Sequence, residues 1–303
     1  MKFWKEYAIE PSLFANYYLG NEILSGLGYE HGRIVGAIPK KWTRAVRNYA
    51  LSHTEMQQAK LVERLNDLKH AIVPRNHPYD GSRPWRDQAL EYHQALPFDG
   101  VLLEGPGSVP GCIDTTLGLG GQQLWAHGRQ ISIPRTSAPL AQALRPLLCT
   151  ALEVIIVDAY FNPSVAVAQS KWLRPLQAVA AQLPTDGRVT RFEVHALSSR
   201  SDPWPAGLFV QHCRNNIASA LPKGISLDAM LWKERNGGLQ FHERLIVTNV
   251  GGVVVDPGID DGNPGETYVL RLLSRHEVPD CLARFIPNTA PYDLIDQQRV
   301  TGS

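Results

Sequence analysis

The sequence lacks most of the features by which whole protein classes announce themselves. No stretch approaches the roughly 18 uninterrupted apolar residues of a membrane-spanning helix. The opening MKFWKEYAIEP has no apolar core of the kind that a secretory leader carries, which leads us to expect a cytoplasmic protein. Cys112, Cys149, Cys213 and Cys281 lie far apart, in neither C-x-x-C nor zinc-ligand spacing, so they read as reduced thiols. The formal net charge is only +1, so no global field draws nucleic acid and only a local positive patch could do so. There is no P-loop, no H-E-x-x-H and no G-x-S-x-G, and LGLGGQ has no strand leading into it as a dinucleotide site requires. Neither a metal nor a cofactor is implied.

What is present is an ordinary globular composition, 44% hydrophobic and 19% charged, in a chain of 303 residues that can hold two modest domains. In the first half, KKWTRAVRNYAL after Pro39 reads as a helix, and so does His53–Leu68, where Met56, Leu61, Leu65 and Leu68 recur at helical spacing. PRNHPYDGSRP reads as a loop, Ser82 as the cap of a further helix, FDGVLLEG as a buried strand, and GPGSVPGCIDTTLGLGGQQ as an irregular excursion. From about Ala138 the pattern becomes regular: a helix, the strand EVIIVDAYF, a helix over Ser170–Leu183, the strand RFEVHAL, a helix over Leu208–Leu221 and the strand ISLDAMLW. Two strands, FHERLIVT and GGVVVD, and then TYVLRLL follow. Four consecutive apolar residues in VIIV predict a strand buried on both faces. The order predicts an α/β fold: a mixed sheet with helices on both faces over residues 138–303, preceded by a smaller α/β or α-rich domain over residues 1–137.

FHERLIVTNVGGVVVDPGID carries the chemistry. If the strand begins at Phe241, alternation puts His242, Arg244, Ile246 and Thr248 on one face and Glu243, Leu245 and Val247 on the other. An imidazole beside a guanidinium is a natural anion contact. Read from the residues alone, His242 serves equally as a hydrogen-bonded strand-end residue, with Arg244 paired to a carboxylate.

With VIIVDAYF as an opening strand and FHERLIVTNVGGVVVDPGID as a strand pair, residues 138–286 resemble the phospholipase D superfamily, and most closely the single-motif modules found at the C-terminus of some MIT-domain proteins and in bacterial conflict and defence proteins. The family pattern is H-x-K, four residues, then D, with a later glycine. Here His242 matches, Arg244 stands in the lysine place, Asn249 in the aspartate place, and Gly258 near the glycine. The resemblance implies a metal-independent phosphodiesterase or nuclease: one histidine attacks phosphorus, a second protonates the leaving oxygen, and the adjacent cation holds the phosphate oxygens. Asn249 would orient the imidazole without supplying charge. The second histidine would come from a homodimer, or from one of the other H-x-R triplets at His31, His127 and His212. The alternative that it implies is a degenerate module that grips nucleic acid, another anionic ligand or a partner protein of a multi-gene system without turnover.

Further site candidates follow from position. Asp158 and Tyr160 close the buried strand at the end that faces ligand in open α/β sheets, and His195 ends its own strand there. Lys233 precedes the His242 strand and could replace the missing lysine. Lys40, Lys41, Arg44 and Arg47 with Trp42 form a basic cluster that suits a phosphate backbone or plain solvation. Nothing amphipathic or polybasic suggests a lipid surface, so nucleic acid is the expected ligand.

Overall fold

The computed structural model describes residues 2–75, 77–126, 128–199 and 201–302. The chain divides into two units, one over Lys2–Arg129 and one from Gln130 onward. The break falls before the expected residue 137 because RQISIP joins the second sheet as its edge strand, paired antiparallel to a strand more than 100 residues later.

The first unit contains β1 (Lys5–Ile9), α1 (Tyr17–Ser25), β2 (Arg33–Ala37), α2 (Trp42–Tyr49), α3 (Glu55–Asp67), β3 (Ile72–Pro74), α4 (Trp85–Ala95), β4 (Gly100–Leu103) and β5 (Cys112–Asp114). Its sheet runs β3-β2-β1-β4-β5 with every neighbouring pair parallel. This half is therefore α/β with a doubly wound strand order. The segment expected to be wholly irregular contributes β5: three residues with one neighbour need no apolar run beyond the buried Ile113. Thr54 sets the start of α3 through a capping box, accepting from the Gln57 amide while the Gln57 side chain accepts from the Thr54 amide. Ser82 does not cap α4. Pro84 disfavours helical backbone at Arg83, and Ser82 instead donates to Asp80 in a turn.

The second unit contains β6 (Gln130–Pro134), α5 (Ser137–Leu148), β7 (Glu153–Asp158), α6 (Leu173–Ala180), β8 (Arg191–Leu197), α7 (Leu208–His212), β9 (Ser226–Glu234), β10 (Arg244–Thr248), β11 (Gly251–Asp256), β12 (Thr267–Leu272), α8 (Glu277–Arg284) and β13 (Tyr292–Thr301). The strand order is β13-β9-β8-β7-β10-β11-β12-β6, parallel for β7, β8 and β9 and antiparallel elsewhere. Ile155 and Val157 of β7 pack with Val278 and Cys281 of α8 and with Phe285 just after it. Val154 and Ile156 point to the other face and are as deeply buried, and α5 and α6 bury the stripes Leu140–Leu144 and Leu173–Leu176–Val179. The mixed sheet is thus covered by helices on both faces, as VIIV requires.

Three details depart from expectation. β10 begins at Arg244, not Phe241, so Phe241–Glu243 approach it as irregular chain. The helix expected over Leu208–Leu221 is α7 followed by a π-helical turn and a 3-10 turn. β13 was not foreseen: its interior, DLIDQQR, is polar because it is the solvent-facing edge of the sheet. No helix among the described residues is long and apolar enough to cross a membrane.

Candidate functional site

The site is organised by the last residue of the buried strand β7. The run Val154–Val157 drives β7 into the core and carries Asp158 with it, leaving Asp158 only 1% exposed. A buried carboxylate must find donors. Asp158 Oδ2 accepts from the Ile259 amide at 2.6 Å and Oδ1 from the Tyr160 amide at 2.9 Å. It therefore ties the PGID loop after β11 to the turn after β7. Burial raises the Asp158 pKa above the usual carboxylate range, against the lowering effect of those two amides and of Arg244.

Gly258 makes this junction possible. A β-carbon there would stand 3.1 Å from Asp158 Oδ2 and 3.2 Å from Asp260 Oδ1. The loop is then locked from its far side. Asp260 pairs with Arg135 and, at 3.0 Å, with Lys171; Asp261 pairs with Arg174 at 2.9 Å and accepts from Ser137 Oγ at 2.8 Å.

Arg244 emerges beside this lock. It faces Asp158 in the β7–β10 register. Its Cζ lies 5.1 Å from the Tyr160 ring centroid, and its nearest carboxylate is Asp256 at 3.9 Å. Nε of Arg244 is buried without a hydrogen-bond partner. Glu243 does not neutralise it: one oxygen pairs with Arg284 and the other is buried and unpartnered. His242 is exposed, and its Nε2 is 2.8 Å from Gln240 Oε1. His242, Glu243, Arg244, Asp256, Arg271 and Gln130 line one open groove of about 360 Å³. The Arg271 side chain forms no hydrogen bond or ion pair among the described residues.

His242, Arg244, Asp158 and Tyr160 thus gather at one end of the sheet. Asn249 does not join them. Its Oδ1 accepts from the Leu152 and Glu153 amides at 2.8 and 3.2 Å, at the start of β7. β10 runs antiparallel to β7, so Asn249 lies about 17 Å from Arg244, five residues at the rise of an extended strand. It cannot orient His242. Lys233 is exposed on β9, opposite Asp293, and β7 and β8 separate its strand from β10. Three strand spacings, about 14 Å, keep it from standing in for the missing lysine.

His195 is not a site residue either. It is fully buried on the α8 face, its ring tilted against Phe285, where Trp232 Nε1 donates to Nδ1 at 2.8 Å and Nε2 faces Glu193 at 3.1 Å. Of the other H-x-R triplets, His212 packs on Trp204 and Arg214 bonds Gln298. Arg33 is bound to the Trp125 and Gly26 carbonyls, and His127 lies outside the described residues. In the basic cluster Trp42 is buried, donating to the Ile9 carbonyl, so only Lys40, Lys41, Arg44 and Arg47 face solvent.

Sequence reasoning missed Arg271, Gln130 and the Arg284 partner of Glu243. Arg271 had a signal: it is the charged residue between Leu270 and Leu272, pointing to the opposite face of β12. Gln130 had none, since only strand pairing sets it against Arg271. Among the described residues no group of three or more His, Cys, Asp or Glu side chains could hold a metal ion. No family model matches the chain, and neither a curated protein nor a solved structure matches it.

Proposed function

We propose that the C-terminal unit is a phospholipase D-like module that binds phosphodiester anions, and that one copy of it does not turn them over. The observation that carries this reading is the buried, unpartnered Nε of Arg244 at a groove shared with His242 and Arg271. Nε itself has no exposed surface, so an anion meets Arg244 at the partly exposed end of its guanidinium, and a shift of the side chain that brought Nε to the anion would remove the cost of about 1–3 kcal/mol of a buried donor without an acceptor. Arginine suits that task, because its planar fork matches phosphate geometry.

Turnover through phosphohistidine asks for more. It needs a second imidazole, and among the described residues of this unit none adjoins His242: His195 is in the core, His212 flanks the β13 edge, and His276 begins α8 beyond the opposite end of β12. It also needs a group that orients His242, and Asn249 is committed elsewhere. The exposure of His242 favours one competing reading, a homodimeric nuclease in which two copies each contribute an imidazole. On the binding reading the module works in the cytoplasm as part of a multi-protein bacterial defence system, like the modules that it resembles.

The test is titration of the full chain with a short base-free phosphodiester chain in EDTA at several salt concentrations. Binding should weaken with salt, and Arg244→Gln should weaken it at least tenfold without lowering the melting temperature. Cleavage of a phosphodiester in EDTA that His242→Ala abolishes would replace this reading with the dimeric nuclease. Unchanged affinity in Arg244→Gln would reject the site altogether.

A further inference from the structure

Taking Arg244 as the phosphate contact, as proposed above, we infer that Tyr160 is a stacking platform beside it and that the ligand is single-stranded nucleic acid, a phosphodiester that carries planar bases, not a lipid headgroup. Tyr160 follows the buried strand β7 by two residues, yet the residue is 64% exposed. Its backbone is firmly held. The Tyr160 amide donates to Asp158 Oδ1 at 2.9 Å, and the Phe161 amide donates to the Asp158 carbonyl at 3.0 Å. Phe161, the next side chain, is buried and anchors the turn. The fold therefore presents a large aromatic ring to solvent on a rigid support, where a mobile loop would let it collapse onto the surface.

The ring is also in the right company. The Arg244 guanidinium lies over the ring, 5.1 Å from its centroid, so the charge covers one face and a base would stack on the other. A guanidinium alone holds any phosphate, whether on a lipid, an inositol or a nucleotide. A neighbouring π-face adds affinity only for ligands that bring a planar ring within reach of the phosphate, which nucleotides do and saturated headgroups do not. Stacking of this kind tolerates every base, and it separates base-bearing from base-free chains by about 5- to 150-fold. Single strands are favoured over duplex because a paired base has no free face to offer.

The experiment compares three probes on the full chain in EDTA at low salt: a labelled single-stranded hexanucleotide, an abasic chain with the same number of phosphates, and vesicles containing an anionic phospholipid. The native protein should bind the hexanucleotide about 5- to 150-fold more tightly than the abasic chain. Tyr160→Leu should lower hexanucleotide affinity far more than abasic affinity and so remove the preference, and Tyr160→Phe should keep it. Equal affinity of the native protein for the two chains would overturn the inference and leave the Arg244 reading intact. So would an equal loss for both chains in Tyr160→Leu, which would make the ring a support for Arg244, or a preference for the vesicles. If neither chain binds, the Arg244 reading fails and this inference with it.

Discussion

Arg244 and Asp158 stand directly opposite each other across the β7–β10 ladder, and yet they form no ion pair. Both oxygens of Asp158 are taken by backbone amides, and the nearest carboxylate to Arg244 is the exposed Asp256 at 3.9 Å. The carboxylate builds the junction while the guanidinium keeps its charge and a vacant N–H for something else. That division is the physical basis of the proposed site.

It predicts a difference between two substitutions of Arg244. Arg244→Gln should weaken phosphodiester binding at least tenfold and reduce the salt slope by about one. Arg244→Lys should keep the slope but still lose affinity, because lysine brings the charge without the planar Nε–H. A lysine variant as tight as the native protein, measured by anisotropy across a salt series, would show that charge alone suffices.

Asn249 should behave as a structural residue. Asn249→Ala removes the acceptor for two backbone amides at the start of β7 and should cost about 1–3 kcal/mol in urea unfolding, with anion affinity unchanged. Asn249→Asp keeps the acceptor and should recover most of that loss. A strong loss of binding in a folded Asn249→Ala protein would contradict the placement described above.

Gly258→Ala should disturb both stability and binding. The added methyl would press on the oxygens of Asp158 and Asp260, and the loop cannot yield easily because Arg135, Lys171 and Arg174 hold its next residues. The expected cost is about 1–3 kcal/mol, with weaker ligand binding as the Tyr160 turn shifts. Gly258 also has a φ of +157°, so alanine there is strained as well as crowded. Gly120→Ala meets open space and should be silent by comparison in the melting curve.

The core histidine makes a pH prediction. Burial holds the His195 pKa below its ordinary value, and Glu193 only partly opposes this. For Glu193 burial pushes up, but His195 and Arg191 outweigh it and leave the carboxyl low. As pH falls through about 6.5 the unfolded chain gains the His195 proton and the folded one does not. The stability from this residue is therefore complete above that pH and lost towards the lowered folded value, and Glu193 adds a loss of the same sign at lower pH. His195→Gln can still accept from Trp232 and donate to Glu193, so its melting temperature should fall less between pH 7 and 5. Identical slopes would place the titration elsewhere.

Some of this was legible without coordinates. VIIV announced a strand buried on both faces, and the order of strands and helices after Ala138 announced the mixed sheet. The spacing of His242 and Asn249 also held an unread warning, because seven residues of extended chain span about 23 Å and cannot bring two side chains to one phosphorus. His242 shows the reverse failure. Its assignment to the Arg244 face assumed that the strand began at Phe241, but pairing starts at Arg244.

The sequence by itself determined the local matters: the apolar run of β7, the capped start of α3, and the histidine and arginine two residues apart. Those depend on neighbours a few positions away. Only the tertiary structure decided what each polar group meets, that Asp158 holds the Ile259 amide, that Glu243 turns to Arg284, and that Arg271 and Gln130 come to share the Arg244 groove. Such partners lie up to more than 100 residues apart, and strand order and register, which no local pattern encodes, choose among them.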